Sequence, residues 1–144
     1  MRTRILTVLL GLGAVLALSA CGMFLSGAQP MTPPSIASLQ IEPSRMRFTG
    51  GQATIRVEVR DDNGVRAVTL VVVAPDGSRS SLAMDNAGQD SYRAAITLPP
   101  NLSGTARQYQ LWVEAEDIFG VRAQSTAQSL EVEAIALPPG EPPI

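Results

Sequence analysis

The strongest constraint on the fold of this 144-residue chain is a two-residue alternation of apolar and polar side chains between residues 35 and 136. The alternation is clearest in the segments 52–60, 92–98 and 108–116. Successive side chains of a β-strand point to opposite faces, so the pattern predicts strands that each bury one face. No long segment of this region has the 3.6-residue apolar spacing of a helix. We therefore expect an all-β domain.

Turn-forming sequences separate the alternating segments, at Asp62-Asn63-Gly64, Pro75-Asp76-Gly77, Asn86-Ala87-Gly88, Pro99-Pro100-Asn101 and 117–120. They divide the domain into seven predicted strands, at 36–42, 52–60, 65–74, 79–84, 91–98, 107–116 and 122–133. Seven short strands in about 100 residues are typical of an immunoglobulin-like β-sandwich. We therefore predict a single seven-stranded Greek-key sandwich.

Two of these segments resemble bacterial Ig-like and fibronectin-III-like modules. The segment 54–65 (TIRVEVRDDNGV) resembles strand B with its following turn, and 109–117 (YQLWVEAED) resembles strand F. The resemblance implies an Ig-like sandwich with a role in adhesion, spacing or assembly. The paired cysteines of antibody domains are absent, since Cys21 is the only cysteine.

The N-terminal segment has the features of a targeting signal. Arg2 and Arg4 precede an uncharged, mostly apolar segment over 5–20. That segment is shorter than the ~20 apolar residues that span a bilayer comfortably. The tetrad Leu18-Ser19-Ala20-Cys21 then resembles the lipobox of bacterial lipoproteins. The resemblance implies cleavage before Cys21 and acylation of Cys21, with fatty acids such as palmitate.

The predicted organisation follows from these segments: a cleaved helical signal peptide (1–20), a lipidated N-terminus and flexible tether (21–34), the β-sandwich (35–136) and a Pro-rich tail (137–144). A triacylated Cys21 would hold the protein at an extracytoplasmic membrane surface. Gly22, in place of an Asp, favours the periplasmic side of an outer membrane if the cell has two membranes. An ordinary secretory signal and an uncleaved signal anchor are the alternatives.

Composition excludes several functional classes. The chain has no histidine, and acylation would consume its single cysteine. This removes the usual general base, thiol nucleophiles and Cys/His metal sites. The net charge is −2, and it becomes more acidic when Arg2 and Arg4 are cleaved off. We therefore expect no nucleic-acid binding, no catalysis and no cofactor other than the covalent lipid.

One candidate metal site is a group of carboxylates at the loop ends. Asp61 and Asp62 lie in the loop after strand B, and Glu116 and Asp117 lie where strand F ends. These loops share one end of an Ig-like sandwich, and hard oxygen ligands converging there would suit Ca²⁺. Asp-Asn-Gly also forms a turn without any metal, so a plain turn is the alternative.

The candidate partner surface is centred on Trp112. If Leu111 and Val113 face the core, Trp112 faces outward, together with Val71 and Val73 of the neighbouring strand. An outward apolar patch with an aromatic residue is typical of a contact surface. The alternatives are that the tether, the tail or a side chain such as Arg66 covers the patch, or that a bulge buries Trp112.

The sequence thus predicts a membrane-anchored, non-catalytic binding or structural subunit that docks a protein partner or a larger envelope assembly. A second hypothesis is carbohydrate or peptidoglycan binding with Trp112 as a stacking platform. A third is an enzyme that uses the loop-end carboxylates. Tyr109 is predicted to be structural, as a tyrosine corner whose phenol bonds back to the preceding connection.

Overall fold

The computed structural model describes residues 31–136, which contain eleven strands. No helix that is long and apolar enough to cross a bilayer occurs among these residues. The signal peptide, Cys21, most of the tether and the Pro-rich tail lie outside the described residues. The strands are β1 (Ser35–Ile36), β2 (Gln40–Glu42), β3 (Arg45–Met46), β4 (Gly51–Arg60), β5 (Val65–Val73), β6 (Arg79–Ala83), β7 (Asp85–Gly88), β8 (Ser91–Leu98), β9 (Arg107–Asp117), β10 (Arg122–Gln124) and β11 (Gln128–Val132).

The strands form two sheets that pack as a sandwich. In sheet 1, β1 and β2 both pair with β4, which pairs with β8, which pairs with β7. In sheet 2 the order is β3-β11-β9-β5-β6, and β10 also pairs with β9. The consecutive strands β4 and β5 lie in opposite sheets, as do β8 and β9. This arrangement matches the A-B-E-D and G-F-C sheets of Ig-like sandwiches and confirms the all-β prediction.

The core lies between the inner faces of the two sheets. Alternate residues of β4 and β9 are buried, which confirms the faces predicted from the two-residue alternation. Both sheets supply fully buried side chains to one cluster, among them Ile55, Val59, Leu70, Leu111, Val113 and Leu130. This apolar cluster holds the sandwich together without a disulfide.

The predicted count of seven strands is wrong because two of the predicted strands are interrupted and two further strands, β3 and β7, form where no strand was predicted. The first, 36–42, is split into β1 and β2, and after Pro43 the chain crosses to sheet 2 as β3. The last, 122–133, is split where Ser125 meets β9. The Ser125 hydroxyl accepts a hydrogen bond from the Val113 amide at 2.9 Å, so a side chain replaces a ladder carbonyl there.

The predicted strand 79–84 is present, but the segment after it differs from the prediction. The strand is β6, which pairs with β5 in sheet 2, and the chain then crosses to sheet 1 as β7. The crossing occurs at Met84, which is buried and donates its amide hydrogen to the Val68 carbonyl at 2.9 Å. The segment Asn86-Ala87-Gly88, predicted as a turn, is therefore part of a strand in the other sheet.

The chain enters the sandwich at one end and leaves it at the other. Ser35 pairs with Arg60, so the chain enters beside the loop that follows β4. We name this end the proximal pole; it carries the loops 61–64, 89–90 and 118–121. The last strand ends where Val132 pairs with Arg107, at the opposite end. We name that end the distal pole; it carries the loops 47–50, 74–78 and 99–106.

Candidate functional site

Trp112 lies on the outer face of sheet 2, as predicted. In the sheet register it sits directly across from Val71, and Val71 sits across from Ser81 on the other side. Val71 points away from the core and yet is fully buried, so neighbouring side chains cover it. Val73 and Trp112 are half-buried. The expectation that Val71 is exposed is therefore wrong, although its predicted direction is right.

Arg79 and Glu114 hold the Trp112 ring in place. The guanidinium carbon of Arg79 lies 5.2 Å from the centroid of the indole ring, within the range of a cation–π contact. The Arg79 Nη2 is 2.8 Å from Glu114 Oε1, and the indole Nε1 donates to the same oxygen at 3.1 Å. One predicted alternative was that a side chain such as Arg66 covers the apolar patch. A side chain does cover Trp112, but it is that of Arg79. Arg66 instead pairs with Glu116.

The rest of this outer face carries a network of polar pairs. They are the salt bridges Arg45–Glu131, Arg66–Glu116 and Arg122–Glu116 and the hydrogen bonds Gln108–Glu131 and Gln110–Ser129. Each exposed salt bridge contributes only about 0–1 kcal/mol to stability. Their main consequence is to fix the directions of long side chains around Trp112. The long side chains of this surface are therefore held in defined positions.

The outer face of sheet 1 is arranged differently. Arg56 lies directly across from Arg93, and neither forms a salt bridge with any residue in the range 31–136. The salt bridges near this face all involve Arg60, at its proximal edge. The outward residues of β4 and β8 between the arginines and the distal pole are uncharged, including Thr54, Ala95 and Thr97, and the exposed Glu42 of β2 lies across from Thr54. This face offers no anchored aromatic side chain.

The four carboxylates of the calcium candidate do not form one site. Glu116 points to the outer face of β9, where it accepts hydrogen bonds from Arg66 and Arg122. Asp117, the next residue, points inward and is fully buried. Adjacent residues of a strand face opposite ways, so these two cannot bind one ion together. Among residues 31–136 no group of three or more metal-ligating side chains is present.

Asp117 and Asp61 instead shape their turns. Asp117 Oδ1 accepts hydrogen bonds from the amides of Phe119 and Val121, at 2.8 and 2.7 Å. Asp61 Oδ1 accepts from the Asn63 amide at 2.8 Å, which is the Asx-turn geometry of the plain-turn alternative. The Oδ2 atoms of both residues are buried and have no hydrogen-bond partner in the described part of the chain.

Asn101 takes the structural role that the sequence assigned to Tyr109. Tyr109 is buried, but its phenol forms no hydrogen bond with the residues described. Asn101 is fully buried, and its Nδ2 donates to the carbonyls of Thr105, Val132 and Glu133 at 2.8, 3.2 and 3.0 Å. Its Oδ1 accepts from the amide and hydroxyl of Ser103. In the sequence, Asn101 is visible only as part of a turn.

Two loops carry exposed apolar side chains that the sequence analysis did not select. Ile118 and Phe119 are 54% and 56% exposed in the loop 118–121 at the proximal pole. Leu102 is 73% exposed in the loop 99–106 at the distal pole. The sequence could have indicated these residues, because large apolar side chains are unusual inside turn segments, where polar residues are common.

Comparisons with known proteins identify the fold alone. No protein-family model matches the chain, and no curated protein matches it. A DUF4785 family protein from Legionella pneumophila superposes with a TM-score of 0.56 at 14% identity, over 74% of this chain and 30% of that one. A cycloalternan-degrading enzyme from Trueperella pyogenes has a TM-score of 0.49 at 16% identity, over 63% of this chain. The chain corresponds to only 12% of that enzyme.

Murine CRIg gives a TM-score of 0.40 at 12% identity, over 73% of this chain and 100% of that one. Of these three, the superposition on the DUF4785 family protein supports the β-sandwich fold.

Proposed function

We propose that this protein is a membrane-anchored envelope lipoprotein, attached through Cys21, that acts as a non-catalytic binding or structural subunit. Its β-sandwich docks a protein partner within a larger assembly, through the outer face of sheet 2. The lipid keeps the domain at an extracytoplasmic membrane surface, on the periplasmic side of the outer membrane in a cell with two membranes.

The observation that carries the docking proposal is the anchored Trp112. Trp and Arg are the residue types most often found where binding energy concentrates in protein interfaces. Here Arg79 and Glu114 hold the ring, so little side-chain freedom remains to be lost on binding. The surrounding charged pairs form a polar rim of the kind that surrounds interface centres. Because Val71 is covered, the partner would contact Trp112, Arg79 and the edge of Val73.

The point at which the chain enters the sandwich gives an anchored domain a defined orientation. A tether that enters at the proximal pole would set that pole toward the lipid, while Val132 lies at the distal pole. The outer face of sheet 2 then stands roughly along the membrane normal and is accessible from the side. Confinement to a surface raises effective concentration, so a modest interface is sufficient.

Site-specific photocrosslinking in cells tests the docking surface. A photoreactive residue at Gln110, exposed beside Trp112, is expected to give a discrete adduct with one partner. The matched control is the same residue at Thr97, exposed on the outer face of sheet 1. Trp112→Ala in the Gln110 background should remove the adduct while the domain stays folded, as checked by circular dichroism.

An adduct that forms equally well from position 97, or that survives Trp112→Ala in a folded domain, contradicts docking through this surface. The anchor has a separate test. Metabolic labelling with palmitate should label the protein, and Cys21→Ser should abolish the label. Labelling that persists in Cys21→Ser would reject lipidation at this residue without affecting the docking result.

A further inference from the structure

The loop 118–121 presents two large apolar side chains to solvent on a rigid support. Ile118 and Phe119 are each more than half exposed. Their backbone is fixed: the Ile118 amide donates to the Gly64 carbonyl at 3.1 Å, and the Phe119 amide donates to buried Asp117 at 2.8 Å. Exposure of large apolar side chains to water is unfavourable in free energy unless another surface covers them. We name Ile118 and Phe119 the apolar tip.

The apolar tip lies at the pole where the tether enters. Thr32, Pro33 and Ser35 line one depression together with Asp61 and Asp62, in the loop that precedes Gly64. The chain that comes from Cys21 therefore reaches the domain next to the loop that contacts the tip. The segment 22–34 can span at most about 45 Å, which keeps this pole close to any membrane that holds Cys21.

The charges beside the tip determine the kind of surface that it can meet. Arg66 and Arg122 are exposed at its base and share the single carboxylate of Glu116. Their surplus positive charge can meet lipid phosphates. The same pole also carries acidic side chains, which argue against strong attraction to anionic lipid; these are Asp61, Asp62 and Asp90. Contact driven by apolar burial, with little dependence on salt, fits this mixture.

We propose that the apolar tip inserts into the interface of the bilayer that holds Cys21, as a second and weaker membrane contact. The inference rests on the lipid anchoring proposed above. Two partly exposed side chains bury too little area to hold a free domain on a membrane, so the contact depends on the tether. It sets the proximal pole against the lipid and turns the distal pole away from it.

A single-tryptophan experiment tests this orientation. The chain from residue 21 onward is coupled through Cys21, its only cysteine, to a maleimide lipid in phosphatidylcholine vesicles that contain a brominated lipid. Phe119→Trp in a Trp112→Phe background reports on the tip. Leu102→Trp in the same background is the matched control, since Leu102 is an exposed apolar residue at the distal pole.

Tryptophan at position 119 should shift to the blue and be quenched several-fold more strongly than tryptophan at position 102. If Trp112→Phe unfolds the domain, Phe119→Trp and Leu102→Trp are made with Trp112 retained. The fluorescence and quenching of each variant are then compared with those of the protein that contains Trp112 alone. Equal or absent quenching at the two positions overturns the proposal and leaves the tip facing water or a protein. Because coupling is chemical, that failure is distinguishable from a failure of lipidation in cells.

Discussion

The two ends of the sandwich are each secured by one fully buried polar side chain, and the two differ in chemistry. Asn101 secures the distal pole and Asp117 the proximal pole, and both are 0% exposed. Both polar atoms of the Asn101 amide are bonded. Asp117 uses one oxygen for two turn amides and leaves the other without a partner among the described residues.

The difference follows from what each pole has to satisfy. At the distal pole the end of β11 leaves carbonyls unpaired, and only a donor such as the amide of Asn101 can bond them. At the proximal pole the loop 118–121 leaves amides unpaired, which a carboxylate accepts well. The carboxylate also buries a second oxygen that has no hydrogen-bond partner among the described residues, which is unfavourable. We infer that the distal pole is the more stable end.

Substitution of Asn101 should have the largest effect of the changes considered. Asn101→Ala leaves three carbonyls and two donors of Ser103 without their buried partner, and each unsatisfied group costs about 1–3 kcal/mol. We expect a loss of about 3 kcal/mol or more in the free energy of unfolding, measured with urea. Asn101→Asp keeps the acceptor and loses the three donated bonds, so it should be nearly as unstable. A loss below about 1 kcal/mol would contradict the importance given to this pole.

Substitution of Asp117 should have a smaller effect. Asp117→Ala frees the amides of Phe119 and Val121 and should cost about 2 kcal/mol. Asp117→Asn keeps an acceptor and removes the buried charge, so its cost should be lower still. Thermal and urea unfolding of both variants beside Asn101→Ala give the order directly. Adding Ca²⁺ should change none of their melting temperatures.

If Asp117→Asn is less stable than Asp117→Ala, the buried charge itself is required, and the comparison of the poles fails. A calcium-dependent rise in melting temperature that Asp117→Asn removes would reinstate the calcium hypothesis. Gly120→Ala is a useful internal check on the turn. Gly120 has a φ of +86°, so a side chain there strains the same loop without touching either Asp117 oxygen.

The sequence predicted features that depend on local geometry. The buried faces of β4 and β9, and the outward direction of Trp112, follow from strand parity, which each segment sets for itself. The crossings after Pro43 and at Met84 could not be predicted, because they depend on which distant strand offers a free edge. The same holds for Asn101, whose partners Val132 and Glu133 lie far along the chain, and for the covering of Val71 by neighbours from other strands.

Asp76 provides the test with the smallest expected effect. Like Asp117, it accepts two hydrogen bonds within a turn through one carboxylate oxygen, but it is exposed to solvent. It lies in the exposed loop 74–78 of the distal pole, where its Oδ1 accepts from the hydroxyl and the amide of Ser78, at 2.6 and 2.9 Å. The hydrogen bond from the Ser78 hydroxyl, followed by that from the amide, lowers the pKa of Asp76. A lowered pKa in the folded state means that the charged form stabilises the fold.

The sign of the pH dependence follows from this shift. The contribution of Asp76 should be fully present above the unfolded-state pKa of about 3.9 and should disappear as the pH falls through the lower folded-state value. The stability gap between the wild type and Asp76→Asn should therefore be largest at neutral pH, although modest because Asp76 is exposed, and should narrow in acid. Ser78→Ala should raise the pKa of Asp76 toward its ordinary value, as followed by NMR titration of the carboxyl. If the stability difference between the wild type and Asp76→Asn instead widens in acid, the turn does not favour the charged form of Asp76. The two aspartates would then differ in more than their burial.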